Sequence, residues 1–73
     1  MENRRYVKPN SHGGWDVLNE GHRRASVRTD TKSQAIIRAR QLTRKDGGGE
    51  IRVLNRMGKL VEVDTVPRTR RAA

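Results

Sequence analysis

The segment of residues 31–49 is the only part of this 73-residue chain whose sequence predicts a helix, and it limits what the rest can form. Thr31 is suited to cap the N-terminus, with Gln34 as its capping-box partner three residues later. Basic residues stand in the last turn, where they suit the negative pole of the helix dipole. The glycines at 47–49 can adopt the left-handed conformation of a C-terminal cap. One helix with both ends marked is therefore predicted.

The predicted helix has a narrow apolar face. At about 100° per residue, its small and apolar side chains fall on one arc. They are Ala35, Ile36, Ala39, Leu42 and Thr43. Ile37 lies outside this arc, so it is expected to be either a lone exposed apolar residue, which is the commoner case, or part of a contact surface.

Short runs rich in β-branched residues, separated by turn residues, predict strands on both sides of the helix. These strands cover residues 5–8, 15–18, 24–29, 50–54 and 59–63. Short turns join them into two hairpins before the helix and one after it. The predicted fold class is α+β, a small antiparallel sheet in the order β-β-β-α-β-β packed on one amphipathic helix.

Alternation of side chains divides the predicted sheet into a helix side and an open side. The helix side is predicted to carry Trp15, Val17, Ala25, Val27, Ile51, Val53, Val61 and Val63. The open side is predicted to carry Asp16, Leu18, Ser26, Arg28, Arg52, Leu54, Leu60 and Glu62. Because the open side mixes acids, bases and leucines, a uniformly basic sheet face is not expected.

The length of the chain allows one domain at most. A chain of this size buries only about 60% of the surface that its unfolded form exposes, so its core must be small. We expect a frayed N-terminus at residues 1–4, a single α+β domain at 5–65 and a disordered basic tail at 66–73.

The chain contains no cysteine, which excludes disulfides and thiolate metal sites. No apolar run resembles a signal peptide or a membrane span. Together these features predict a cytoplasmic protein without membrane association.

The net charge is +9 at pH 7, and Arg outnumbers Lys thirteen to four. Such a field attracts polyanions, and the planar guanidinium group matches phosphate oxygens and guanine edges. The favoured function is a small nucleic-acid-binding domain, with DNA favoured over RNA and phosphate contacts dominating base readout. The candidate contact residues are Arg4, Arg5, Arg23, Arg24, Arg28, Arg38, Arg40, Arg44, Lys45, Arg52, Arg68, Arg70 and Arg71.

The alternative function is a protein-interaction module whose positive charge serves solubility. In that case the chain could form a homodimer through apolar residues on the open sheet face or on the helix. The candidates are Leu18, Leu54, Leu60 and Ile37.

The sequence contains no pattern that indicates catalysis, a metal or a cofactor, so we predict a protein that is not an enzyme. His12 and His22 lie in predicted turns without further ligands nearby. Asp16, Glu20 and Glu62 are expected to pair with arginines rather than to form a catalytic carboxylate pair. The glycines at 47–49 follow a helix, whereas a phosphate-binding loop precedes one.

The chain has only two aromatic residues, Tyr6 and Trp15. Either could stack on nucleic-acid bases if it were exposed. Trp15 is expected to form the largest part of the core.

Several motifs carry a resemblance to a known family. They are Tyr6-x-x-Pro9, Gly13-Gly14-Trp15-x-Val17, Glu20-Gly21, Arg24-Ala25, Thr31, Ala35 with Ala39, Gly49-Glu50 and Gly58-Lys59. Over residues 6–64 this pattern resembles the small prokaryotic family catalogued as domain of unknown function 2188. The resemblance implies a compact strand-strand-strand-helix-strand-strand domain from bacteria or their phages, and it supplies no catalytic residue. The chain departs from the family pattern in its extra arginines and Arg-rich tail, which favours a polyanionic partner for this member.

Overall fold

The computed structural model describes residues 3–68 of the chain. Within this range the chain forms five strands and one helix. They are β1 (Arg4–Pro9), β2 (Trp15–Asn19), β3 (Val27–Thr29), α1 (Lys32–Lys45), β4 (Gly49–Leu54) and β5 (Leu60–Val66). The predicted α+β class and the β-β-β-α-β-β order are confirmed.

The five strands form one sheet in the order β3-β2-β1-β4-β5. Three neighbouring pairs are antiparallel, as predicted, but β1 and β4 are parallel. The helix causes this difference. It runs along the sheet between β3 and β4, so that β4 begins at the same end of the sheet as β1 and runs in the same direction. Parallel neighbours require such a crossover, whereas antiparallel neighbours can be joined by a short turn. The sheet is therefore mixed.

Both predicted helix ends are confirmed. The Thr31 hydroxyl accepts a hydrogen bond of 3.1 Å from the Gln34 N–H group. At the other end, the Gly47 N–H donates to the Arg44 carbonyl (3.0 Å) and the Gly48 N–H donates to the Thr43 carbonyl (2.8 Å). This pair of bonds defines a Schellman motif, whose C′ residue needs a left-handed backbone. Gly47 supplies it with φ = +97°.

The helix packs on one face of the sheet and creates a single core. Its fully or almost fully buried apolar residues are Val7, Val17, Ala35, Ala39, Ile51, Val53 and Val66. Trp15, Val27, Ile36 and Leu42 are half-buried against this cluster. Most of the predicted core is thus confirmed. Trp15 packs against it but is only half-buried, and Ile51 is the largest fully buried side chain instead. Ala25 precedes β3 and is half-buried outside the cluster.

The prediction that Val61 and Val63 face the helix is wrong, since these side chains are 54% and 48% exposed. Val63 lies opposite Arg52, on the open side of the sheet. The register between β4 and β5 shifts beside Leu54, and this irregularity breaks a simple alternation counted from the turn. Val66, opposite Gly49, takes the buried position instead.

The prediction that Glu62 lies on the open side is also wrong. Glu62 is opposite Val53, and its neighbour in the alternation, Asp64, is opposite Ile51, so both acids are on the helix side. Lys32 and Arg40 of the helix form ion pairs with them. A helix about 10 Å wide cannot cover five strands spaced about 4.8 Å apart, so charged side chains beside the helix at this edge strand remain near water.

Candidate nucleic-acid interface

The ends of several elements meet at one end of the sheet. There β1 and β4 begin while β2 and β5 end, because Arg5 is opposite Asn19 and Glu50 is opposite both Arg4 and Thr65. The helix also ends there, and the turn between β2 and β3 starts there. We call this region the cationic end, and define it by Arg23, Arg24, Arg44, Lys45 and Arg68.

Ion pairs divide the basic residues into two sets. Between residues 3 and 68, six cations lie within 4.0 Å of a carboxylate, namely Arg4, Arg5, Arg28, Lys32, Arg40 and Arg52. The other nine in this range are exposed and have no carboxylate partner there; they are Lys8, Arg23, Arg24, Arg38, Arg44, Lys45, Arg56, Lys59 and Arg68. All five residues of the cationic end belong to the unpaired set.

The acids near the cationic end are held by paired arginines. Glu20 accepts a hydrogen bond of 3.0 Å from Arg4, and Glu50 accepts one of 2.5 Å from Arg52. The bond to Glu20 and the charge of that carboxylate raise the pKa of Arg4 above its ordinary value. The bond from Arg52 lowers the pKa of Glu50 below its ordinary value. The Glu50 carboxylate therefore stays charged at neutral pH, and both carboxylates are engaged by arginines on the open face.

Arg5 occupies a different environment from the other candidates. Its side chain lies on the helix side of β1, where the residue is only 6% exposed. Its guanidinium binds the Asp46 carboxylate at 2.5 Å. Arg5 therefore holds the fold together and is not presented to a partner.

The remaining described candidates lie at three separate places, namely on β3, on the helix beside β5 and on the exposed flank of the helix. Arg28 on β3 lies 3.6 Å from Asp16, and Arg40 on the helix pairs with Asp64. Arg38 is exposed on the helix flank and donates to Gln41 at 3.3 Å. Arg70 and Arg71 lie outside the described residues. The sheet and helix therefore bring together only part of the predicted set.

The open sheet face contains a shallow groove beside Tyr6. Tyr6 lies opposite Leu18 of β2 and Arg52 of β4. The groove has a volume of about 190 Å³, and its lining includes Tyr6, Lys8, Leu18, Gly21, His22 and Leu54. Trp15 lies on the other face, against the core. Only one of the two aromatic rings is thus available to a partner on this face.

The two histidines, His12 and His22, are exposed in turns. Over the described part of the chain, no three His, Asp or Glu residues are grouped so that they could hold a metal ion. In the same range, no helix has the length and apolar character needed to cross a membrane.

A comparison with protein families identifies the chain. The family model described as "uncharacterized protein conserved in bacteria (DUF2188)" matches residues 5–66. The chain belongs to this family. No curated protein and no solved structure matches it.

In this member of the DUF2188 family, sequence reasoning missed three exposed, unpaired cations, Lys8, Arg56 and Lys59. It also placed paired and unpaired arginines in one set. No local signal separates them, because pairing depends on which strands are neighbours and on the register between them. The alternation of β1 was the available signal for Lys8, since it places Lys8 on the same face as Tyr6.

Proposed function

We propose that this protein binds nucleic acid through phosphate contacts, with little base readout and with DNA favoured over RNA. The observation that carries the proposal is the separation of paired from unpaired cations. Six of the seven acids between residues 3 and 68 form ion pairs with six of the cations. The positive charge that remains is exposed, and five of its nine residues lie at the cationic end.

The exposed arginines of the unpaired set suit this role for an energetic reason. Their guanidinium groups form no ion pair in the described part of the chain, so binding a phosphate breaks none. Each phosphate they neutralise releases condensed counterions, which drives association at low salt. Arg70 and Arg71 follow Arg68 in the sequence, and they belong to the proposed contact set for that reason. The paired arginines are left out of it because carboxylates already hold them; they are Arg4, Arg5, Arg28, Arg40 and Arg52.

We also propose a binding protein rather than an enzyme, acting in the cytoplasm of a bacterium or of a phage-infected cell. The carboxylates that could have formed a catalytic pair each have a basic partner. Asp16 contacts Arg28, Glu20 contacts Arg4, and Glu62 contacts Lys32. A carboxylate engaged by a basic side chain in this way is less free to exchange a proton with a substrate.

The proposal is tested by fluorescence anisotropy with labelled random duplex DNA and single-stranded RNA over a range of salt concentrations. We expect micromolar affinity and a log–log salt slope of about −3 to −6, as for several neutralised phosphates. Absence of binding even at about 50 mM salt, where electrostatic attraction is strongest, would contradict the proposal.

A truncation separates the contribution of the tail from that of the fold. Val66 is buried in β5, so the chain should be shortened after Arg68 to keep every described residue. If the cationic end contributes, the shortened protein still binds DNA with a reduced salt slope. Loss of all binding would assign the activity to residues 69–73 alone.

The exposed apolar residues of β5 favour a second candidate function, a homodimeric interaction module. Leu60 and Val63 are each 48% exposed and Val61 is 54% exposed, next to half-buried Leu54. Exposed apolar side chains grouped in this way are typical of interaction surfaces. Ile37 on the helix is also 55% exposed, whereas Leu18 is only 7% exposed and offers little area. This function predicts concentration-dependent association in sedimentation experiments without DNA.

A further inference from the structure

The two aromatic residues of the chain lie on opposite faces of the sheet, and only Tyr6 is on the open face. Val7, the next residue on the central strand β1, points into the core, and Tyr6 therefore points away from the helix. Trp15 is opposite Pro9 and packs against the core from the helix side. The open face therefore presents a single aromatic ring near its centre.

We propose that the groove beside Tyr6 binds one unstacked base of a single-stranded nucleic acid. The Tyr6 ring supplies a stacking surface, and the Lys8 ammonium group neutralises an adjacent phosphate. This inference rests on the proposed nucleic-acid function and specifies the form of the ligand, a single strand rather than a duplex.

The ring of Tyr6 is held in place before any ligand binds. Its hydroxyl group donates to Glu20 at 3.3 Å, and Arg4 holds the same carboxylate at 3.0 Å. A ring fixed in this way loses little conformational freedom on binding, and this favours affinity. Half-buried Leu54 provides most of the apolar surface around it, because Leu18 is almost fully buried.

The volume of the groove is large enough for a small ligand. Its volume of about 190 Å³ is roughly six times the share of one water molecule in the liquid. Gly21 and His22, from the turn after β2, form one wall. Gly21 has no side chain to fill the space, and the exposed His22 imidazole offers a second flat surface.

The charged side chains in and beside the groove are mainly positive. Lys8 lines it, is exposed and has no carboxylate partner within the described residues. Its cross-strand neighbour Asp16 is already bound by Asn10 at 2.9 Å and lies 3.6 Å from Arg28. At the other side, Arg23 and Arg24 directly follow His22 in the same turn. A strand stacked on Tyr6 therefore has Lys8 in the groove and two exposed arginines in the turn that forms its wall.

A duplex cannot use this groove, because its bases are stacked on one another and their faces are hidden. Stacking on an aromatic side chain is tolerant of base identity, since every base has a π-face. The contact therefore adds affinity for single strands without sequence readout, as the proposed function requires.

The test compares the full-length protein with two variants, Tyr6→Leu and Tyr6→Phe, by anisotropy with a labelled 12-nucleotide DNA strand and with its duplex. We expect Tyr6→Leu to weaken single-strand binding about tenfold and to change duplex binding less than twofold, as loss of one stacked base predicts. Tyr6→Phe keeps the ring and loses the bond to Glu20 that holds it, so it should weaken single-strand binding by only about twofold, much less than Tyr6→Leu. Equal weakening toward strand and duplex would overturn the inference.

A second measurement does not depend on the stability of a variant. The unmodified protein is irradiated with a strand that contains 5-iodouracil, and the crosslinked peptide is mapped by mass spectrometry. An adduct on Tyr6 or His22 supports the groove, whereas an adduct confined to Trp15 overturns it. Trp15 serves as an internal control because it is the other aromatic ring of the chain.

The two proposals fail in different ways. If the protein binds neither strand nor duplex at about 50 mM salt, both are wrong. If it binds both with a steep salt slope but Tyr6→Leu matches the original protein, only the groove is wrong.

Discussion

Arg5 Nη2 donates to Asp46 Oδ2 at 2.5 Å, and this contact ties the first strand to the residue that caps the helix, 41 positions later. Asn3 Nδ2 donates to the same oxygen at 3.1 Å. The Arg5 side chain is 8% exposed and the Asp46 side chain 44%, so only the arginine loses most of its water. The contact joins the end of the helix to the sheet at the cationic end.

We expect a coupling energy of about 1–2 kcal/mol between Arg5 and Asp46, intermediate between exposed and buried pairs because Asp46 is partly screened by water. A double-mutant cycle with Arg5→Gln and Asp46→Asn, followed by urea unfolding, measures it. The pair of Lys32 and Glu62, 3.9 Å apart with both side chains exposed, is the control and should give about 0.5 kcal/mol or less. A coupling no larger than that of the control would contradict the structural role of Arg5.

Two glycines after the helix should differ in their response to alanine. At Gly47, φ is +97° and an added Cβ meets no atom within 4 Å, so Gly47→Ala should cost only the left-handed conformation, about 1 kcal/mol. At Gly49, an added Cβ would lie 2.2 Å from the Asn3 carbonyl oxygen. That oxygen is fixed by its hydrogen bond from the Glu50 N–H group. Gly49→Ala should therefore cost about 3 kcal/mol or more, and urea unfolding of both variants checks the order.

Removal of one positive charge should affect DNA binding at an unpaired position and not at a paired one. Arg44→Gln removes an exposed cation of the cationic end, and we expect the salt slope to fall in magnitude by about 0.9. Arg52→Gln removes the same charge from a guanidinium that Glu50 holds at 2.5 Å, and the slope should stay the same. Equal effects would mean that net charge alone controls binding, which would contradict the assignment of the cationic end.

The features that the sequence predicted correctly are those with local causes. The caps at both helix ends depend only on Thr31, Gln34 and the glycines after the helix. The helix ends could therefore be predicted from a few adjacent residues. The face occupied by Val63 and Glu62 depends on the irregular register between β4 and β5, and the parallel pairing of β1 with β4 depends on the crossover. These relationships join distant segments, so alternation along a single strand could not predict them.

The candidate site follows the same rule. The excess of arginine predicted a polyanionic partner, but charge counting could not separate Arg44 from Arg5. Arg4 and Arg5 are adjacent in β1, so Arg5 faces the helix and Arg4 faces the open side. Whether a guanidinium group already binds a carboxylate depends on the residues that surround it on its own face of the sheet.

The lowered pKa of Glu50 predicts a pH-dependent contribution to stability. A carboxyl group whose folded pKa is depressed stabilises the fold above its unfolded pKa, near 4.5, and loses that contribution as the pH falls through the folded value. The difference in melting temperature between the original protein and Glu50→Gln should therefore be full at pH 7 and shrink below about pH 4.5. A difference that stays constant down to pH 3 would show that the bond from Arg52 does not depend on the charge of Glu50.

Two valines of β5 test which face of the edge strand is buried. Val66 is 2% exposed and lies opposite Gly49, so Val66→Ala removes buried methyl groups and should cost about 1.5–2 kcal/mol. Val63 is 48% exposed on the open side, so Val63→Ala should cost less than about 0.5 kcal/mol in the monomer. The same chemical change at both sites makes each variant the control for the other in urea unfolding. Val63 also tests the second candidate function. If Val63 forms the dimer interface, Val63→Ala lowers the association constant in sedimentation experiments, whereas a purely monomeric protein shows no such change. A larger loss of stability at Val63 than at Val66, measured at a concentration where the protein is monomeric, would contradict the observed register of β5.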